Sequence, residues 1–290
     1  MEKDRLIVLS GAGGKIGRAL IRQILEKTSW RIIAFSSSIK EDCMMYERVT
    51  VHTNEEISTI LPNLKDVDTC IHLAFSRRFN TNTEIALSLD FSSEFYKAAS
   101  TCDSRLINIS TVGVYGLNPD FPDEETKPAP DTLYAMAKYA SEVLMNSYFQ
   151  NSRIDYTNVR LSGIAQSQRV LPVFIDDAKN KGEIRITGGK QQFSWIDLDD
   201  AVNAIIALVA YDGRWRPIYN VTLNRQRYLI TEIAEIVSSV AKEKGFNKTK
   251  ITVIPTTDIP ICVGWNSEAF SKDTGWTPTV AINETISKMF

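Results

Sequence analysis

Residues 5–9, Arg-Leu-Ile-Val-Leu, lead directly into Ser10-Gly11-Ala12-Gly13-Gly14-Lys15-Ile16-Gly17 and then into an amphipathic stretch, RALIRQILEK. Strand, glycine turn and helix in that order are what a dinucleotide-binding βα unit requires. Glycine lets the backbone turn tightly and approach a pyrophosphate. The helix N-terminus supplies free N–H groups and the positive end of a dipole. The spacing Gly11-x-x-Gly14-x-x-Gly17 gains weight because the strand before it and the helix after it are both in register.

The segments that follow keep the alternation. WRIIAF (30–35) and RVTVH (48–52) read as the second and third strands, and DTCIHLAF (68–75) as a fourth that is apolar throughout, as buried parallel strands are. An amphipathic helix over 83–100 leads to a fifth strand, RLINIS (105–110). This order predicts an α/β fold, a doubly wound parallel sheet of the Rossmann type, with ligands beyond the carboxyl ends of the strands. His72, within the fourth strand, reads as a satisfied structural imidazole.

Thr111 stands at the end of the fifth strand, and beyond it Tyr134-Ala135-Met136-Ala137-Lys138 falls on the next helix. The i, i+4 spacing puts the phenol and the ammonium on one face. A nearby cation favours the phenolate, so Tyr134 is suited to exchanging protons with a substrate hydroxyl or carbonyl near neutral pH. Of the 10 tyrosines only this one has a lysine four residues on. Pro119, Pro122, Pro128 and Pro130 rigidify the connection between Thr111 and this helix.

Where dinucleotide-binding chains place an acid at the end of the second strand, this one reads Phe35-Ser36-Ser37-Ser38-Ile39-Lys40. No carboxylate repels a 2′-phosphate there, and Ser36, Ser37, Lys40 and Arg18 are available donors, so the reading leans to NADP over NAD. A polar loop without cofactor preference stands beside it. With a formal net charge of −2 and no block of like charge, nucleic acid and anionic membrane are not expected partners. The four cysteines (43, 70, 102 and 262) form no C-x-x-C pair, so neither a metal site nor a disulfide framework is expected. The N-terminal apolar run is too short for a signal or a membrane span, and the expected location is the cytoplasm.

With GAGGKIG, CIHLAF, STVGVYG, YAMAK, GGKQQFSWIDLDDAVNAI, YNVT and SKDTGWTP in this order, the chain resembles an extended short-chain dehydrogenase/reductase of the NAD-dependent epimerase/dehydratase group over nearly its whole length. The resemblance implies that Tyr134 gives or takes the proton, that Lys138 lowers its pKa and holds the nicotinamide ribose, and that Thr111 hydrogen-bonds the reacting oxygen. It places Gly11, Gly14 and Gly17 around the pyrophosphate with Ile16 beside them, and Leu73 and Ala74 along the cofactor. It also implies a dinucleotide-binding domain over 1–160, a mainly substrate-binding part over 161–290 interleaved with it, and a homodimer.

Departures from the family pattern narrow the reading. Where family dehydratases carry an acidic pair after the Thr, this chain has Val112 and Gly113, which argues against dehydration. Phe193 and Ser194 stand where nucleotide-sugar epimerases carry an Arg-Asp pair, the Arg binding the substrate diphosphate. Thr111, Val112, Phe193 and Trp195 are therefore the candidate substrate contacts, although Phe193 and Trp195 read first as core packing under the C-terminal segment and second as pocket lining. The expected activity is an NAD(P)-dependent oxidoreductase or epimerase interconverting a secondary alcohol and a ketone on a sugar or nucleotide-sugar. A carbonyl reductase of a non-sugar small molecule and a non-catalytic dinucleotide-sensing protein are the alternatives.

Overall fold

A computed structural model describes residues 4–37, 46–76, 82–118, 120–247 and 249–290. The strands are β1 (Leu6–Ser10), β2 (Arg31–Ser36), β3 (Val49–Thr53), β4 (Val67–His72), β5 (Arg105–Thr111), β6 (Tyr156–Leu161), β7 (Gly163–Ile164), β8 (Glu183–Thr187), β9 (Gln192–Phe193), β10 (Trp195–Ile196), β11 (Ile218–Val221), β12 (Tyr228–Leu229) and β13 (Lys250–Ile254). The helices are α1 (Lys15–Lys27), α2 (Ile57–Ile60), α3 (Asn82–Ala99), α4 (Leu133–Phe149), α5 (Val170–Asp176), α6 (Leu198–Ala210), α7 (Ile230–Glu243), α8 (Glu268–Thr274) and α9 (Ile282–Met289).

Seven strands form one sheet in the order β3-β2-β1-β4-β5-β6-β11. The β2–β3, β1–β2, β1–β4 and β4–β5 pairs are all parallel, so their strands are joined by crossovers and not by hairpins. The expected doubly wound α/β sheet is present, and its order reverses at β1, between β2 and β4. In open sheets of this kind the crevice outside the strand ends at that reversal is where a ligand binds.

The chain divides into two compact units. The first comprises residues 1–116, 128–160 and 202–219. Its core joins Val8, Phe35, Cys70 and Leu106 of the sheet to Phe95 and Tyr96 of α3 and Met145 and Phe149 of α4. The alternating segments fold this way because strands that are apolar on both faces need helices on both sides of the sheet. The second comprises residues 117–127, 161–201 and 220–290, so residues 117–127 group with it although they precede α4 in sequence. Its core is built from the apolar stripe of α7 (Ile230, Ile233, Ala234, Val237, Val240) against Leu171, Phe174, Ile184, Ile186 and Ile286. Gly245 closes α7 with φ +89°, the left-handed stop that its position just past the helix predicts. Among the described residues no helix is long and apolar enough to cross a membrane.

Candidate active site

The glycine turn sits at the carboxyl end of β1 and is closed by backbone from the neighbouring strands. Gly11 adopts φ +74° and donates its N–H to Phe35 O at 3.0 Å. A Cβ at Gly11 would lie 2.7 Å from Ala74 N, and one at Gly17 would lie 2.4 Å from Gly11 O, so both positions admit only glycine. Gly14 caps α1 without a side-chain hydrogen bond and no acid occupies the first turn, so the helix N-terminus keeps its donors for an anion. Ile16 belongs to that first turn and is half-buried.

A cleft of about 550 Å³ opens beside this turn, lined by Gly11, Gly14, Ser36, Ser37, Leu73 and Ala74 among others. These are six of the residues that the sequence assigned to a dinucleotide. The cradle that a Cβ would fill, the uncapped helix N-terminus and the cleft volume fit such a ligand. Arg18 is tethered to the turn through Nη1, which donates to Gly13 O at 2.6 Å. Lys40 lies outside the described residues. Sequence reasoning did not single out Asn54 or Phe75, which also line the cleft. The Asn54 Oδ1 is buried with no hydrogen-bond partner among the described residues.

Thr111 ends β5 and caps the short 3₁₀ turn Val112–Tyr115, its Oγ1 accepting from Gly113 N at 3.1 Å. That bond uses a lone pair and leaves the hydroxyl proton to donate elsewhere. Val112 is buried at 3% exposure. Helix α4 starts at Thr132, whose side chain accepts from Ala135 N at 3.2 Å, which sets Tyr134 in the first turn and Lys138 in the second.

Lys138 is only 2% exposed, and its Nζ lies 4.3 Å from the centroid of the Phe75 ring. The same ring meets the Tyr134 ring edge-to-face at 6.2 Å between centroids. Burial pulls the Lys138 ammonium down to about 7, and the charge of Glu142 opposes the fall. Glu142, one turn further along α4, is itself buried and bound twice by Arg160 of β6, at 3.1 Å from Nε and 2.8 Å from Nη2. Ser110 donates to Glu142 Oε1 at 2.5 Å, so the residue preceding Thr111 is tied to the helix that carries Tyr134. Arg160 also lies over the Tyr115 ring at 4.8 Å. Sequence reasoning linked Glu142 neither to Lys138, four residues before it, nor to its partner 18 residues away on a strand.

His72 is fully buried with Nδ1 2.8 Å from Ser10 Oγ and Nε2 2.9 Å from Ser92 Oγ. Burial first, and then the charge of Lys138, hold it well below the usual histidine range. It is a neutral structural imidazole joining β4 to β1 and α3.

In the second unit, Phe193 and Trp195 stack on each other at 4.9 Å with an interplanar angle of 20°. Trp195 is 7% exposed and belongs to the core, against which Phe193 packs half-buried. Tyr228 of β12 pairs with Phe193 across an antiparallel ladder. Arg227, next to it, lies over the Phe121 ring at 3.7 Å.

Residues 7–222 match the model of the NAD dependent epimerase/dehydratase family. The dTDP-4-dehydro-6-deoxyglucose reductase of Escherichia coli is 22% identical over 98% of this chain and 96% of its own length. The UDP-glucuronic acid 4-epimerase of Bacillus cereus, solved in complex with NAD, superposes with a TM-score of 0.81 at 18% identity, covering 97% of this chain and 94% of that one. RMD from Pseudomonas aeruginosa, solved with NADPH, superposes with a TM-score of 0.77 at 19% identity over 98% of this chain and 96% of its own.

Proposed function

Because the chain belongs to the NAD dependent epimerase/dehydratase family, we propose that it interconverts a secondary alcohol and a ketone on a sugar or nucleotide-sugar. The glycine turn and the N-terminus of α1 would hold the dinucleotide, which when bound would supply a hydride acceptor or donor. Tyr134 takes the proton from the substrate hydroxyl on oxidation and returns it to the carbonyl oxygen on reduction. Thr111 donates its hydroxyl proton to that same oxygen, its Oγ1 being already engaged as an acceptor. Lys138 favours the phenolate of Tyr134 and offers donors to the nicotinamide ribose.

The observation that carries the reading is a lysine buried at 2% exposure one helical turn from Tyr134, in contact with a ring that lines the dinucleotide cleft. A buried cation is expensive unless it serves a purpose, and strongly shifted groups cluster at functional sites. Val112 and Gly113 carry no group able to move a proton, which supports redox chemistry without loss of water. The test is to scan the purified protein for bound nicotinamide and to follow the reduced-nicotinamide absorbance with sugar and non-sugar ketones. Retained nicotinamide with no net oxidation marks an epimerase, and net consumption marks a reductase. Unchanged turnover in Tyr134→Phe would overturn the assignment.

Serines 36 and 37 in the cleft, the absence of a carboxylate at the end of β2, and Arg18 held at the turn favour NADP over NAD. The stacked Phe193 and Trp195, where a diphosphate-binding cation is expected, favour as second reading a carbonyl reductase of a non-sugar molecule. Homodimerisation through α4 is the expected assembly. Met136 and Val143, seven residues apart on one face, are about half exposed, and so is Leu133.

A further inference from the structure

Lys138 is a cation in a dry place, and the groups that face it do not supply a carboxylate of its own. On its own helix stand Tyr134 one turn before and Glu142 one turn after. Both oxygens of Glu142 are committed, Oε1 to Ser110 and Arg160 Nε and Oε2 to Arg160 Nη2. The guanidinium of Arg160, on β6, offsets the negative charge that Glu142 presents. On β4 the facing group is His72, neutral and held by Ser10 and Ser92. Among the described residues, what remains is the face of Phe75, 4.3 Å from the ammonium.

We infer that Phe75 is a positioning residue for the acid–base pair, its ring face keeping Lys138 protonated while its contact with the Tyr134 ring fixes the two side chains relative to each other. This rests on the proton-exchange reading of Tyr134 and Lys138. The ring follows directly on backbone that packs against the glycine turn. Residues 73 and 74 press against the glycine turn so closely that a single added carbon at Gly11 would lie 2.7–2.9 Å from them. A desolvated cation over an aromatic face is stabilised through the ring quadrupole, and the effect strengthens as water is excluded. A ring that also borders the dinucleotide cleft couples the charge state of Lys138 to what fills that cleft.

The experiment is NMR of the full chain, cofactor-free and with isotope-labelled lysine, the Lys138 signal being the one lost in Lys138→Met. Phe75→Leu removes the ring at similar bulk, and the Lys138 titration midpoint falls by about one pH unit. Phe75→Tyr, which keeps the aromatic face, retains the wild-type midpoint. Fluorinated phenylalanines at position 75, which weaken the quadrupole and keep the shape, lower the midpoint stepwise; this series decides the matter even where Phe75→Leu fails to fold. In turnover, the pH profile of kcat/KM moves in the same direction for Phe75→Leu and stays put for Phe75→Tyr. An unmoved midpoint across the fluorinated series would reduce Phe75 to packing. Because the midpoint is read without dinucleotide or substrate, that failure is separate from a failure to find any redox substrate.

Discussion

The ground beneath α4 and the segment around Phe193 handle polarity in opposite ways. Under α4, Ser110, Lys138, Glu142 and Arg160 are all at most 4% exposed, and they join the end of β5 to the helix carrying Tyr134. Around Phe193 the second unit stacks aromatic rings and ties β9 to β12 by a two-residue ladder. A buried network of charges and hydrogen bonds admits few substitutions, because removing one partner strands the other. An aromatic stack over an apolar core tolerates changes of shape. On the proposed reading, the first region would fix the chemistry, and the second would be where a substrate preference can be altered without losing it.

The comparison can be broken first at its centre. Tyr134→Phe should lower kcat by about 10²–10⁴-fold, the range for removing a general acid–base, while dinucleotide affinity measured by calorimetry holds. Arg160→Met leaves Glu142 buried without its partner and should cost about 3–5 kcal/mol in urea unfolding, whereas a rim pair such as Lys272 and Glu268 should cost well under 1 kcal/mol. Phe193→Ala, at a half-buried site, should cost about 2 kcal/mol and change the ranking of ketone substrates more than the rate with the best of them. Arg18→Ala should weaken NADP binding about tenfold with little effect on NAD, as the loss of one charge-assisted contact predicts; equal losses would remove the NADP preference.

A pH test sharpens the same contrast. Lys138 binds its proton less tightly in the folded protein, near 7, than in the unfolded chain, near the ordinary 10.5. Between those values the unfolded state holds more protons, so this group makes stability rise with pH across the window, and the gain is complete above 10.5. Unfolding free energies at pH 7 and pH 9 should diverge more for the wild type than for Lys138→Met. Parallel curves would mean that Lys138 is not desolvated.

The glycine turn, the strand alternation and the Tyr134–Lys138 spacing were legible because each is local, set by steric limits or by period within a dozen residues. The Arg160–Glu142 pair was not, since its members stand 18 residues apart on a strand and a helix. Nor was the grouping of residues 117–127 with the second unit, where Asn220 N donates to Glu124 Oε1 at 2.8 Å and Asn266 N to Pro122 O at 3.1 Å. Strands β9, β10 and β12 have two residues each, too few to show a period. The continuation of α5 as a π-helix over Asp177–Lys181 has no sequence signal comparable to a cap or a proline. Asn54 is detectable only once its acceptor is seen buried and unpaired.

The tight contact between Gly11 and the backbone of residues 73 and 74 joins segments that are made early in synthesis. Every described residue lining the cleft beside the glycine turn falls between Gly11 and Phe91, whereas Tyr134 and Lys138 follow more than 40 positions later. At about 5–20 residues per second of synthesis, a growing chain has made these lining residues several seconds before Tyr134 and Lys138. A dinucleotide that binds there during translation would serve as a template on which β1, β2 and β4 are held together while the rest of the enzyme is still being made.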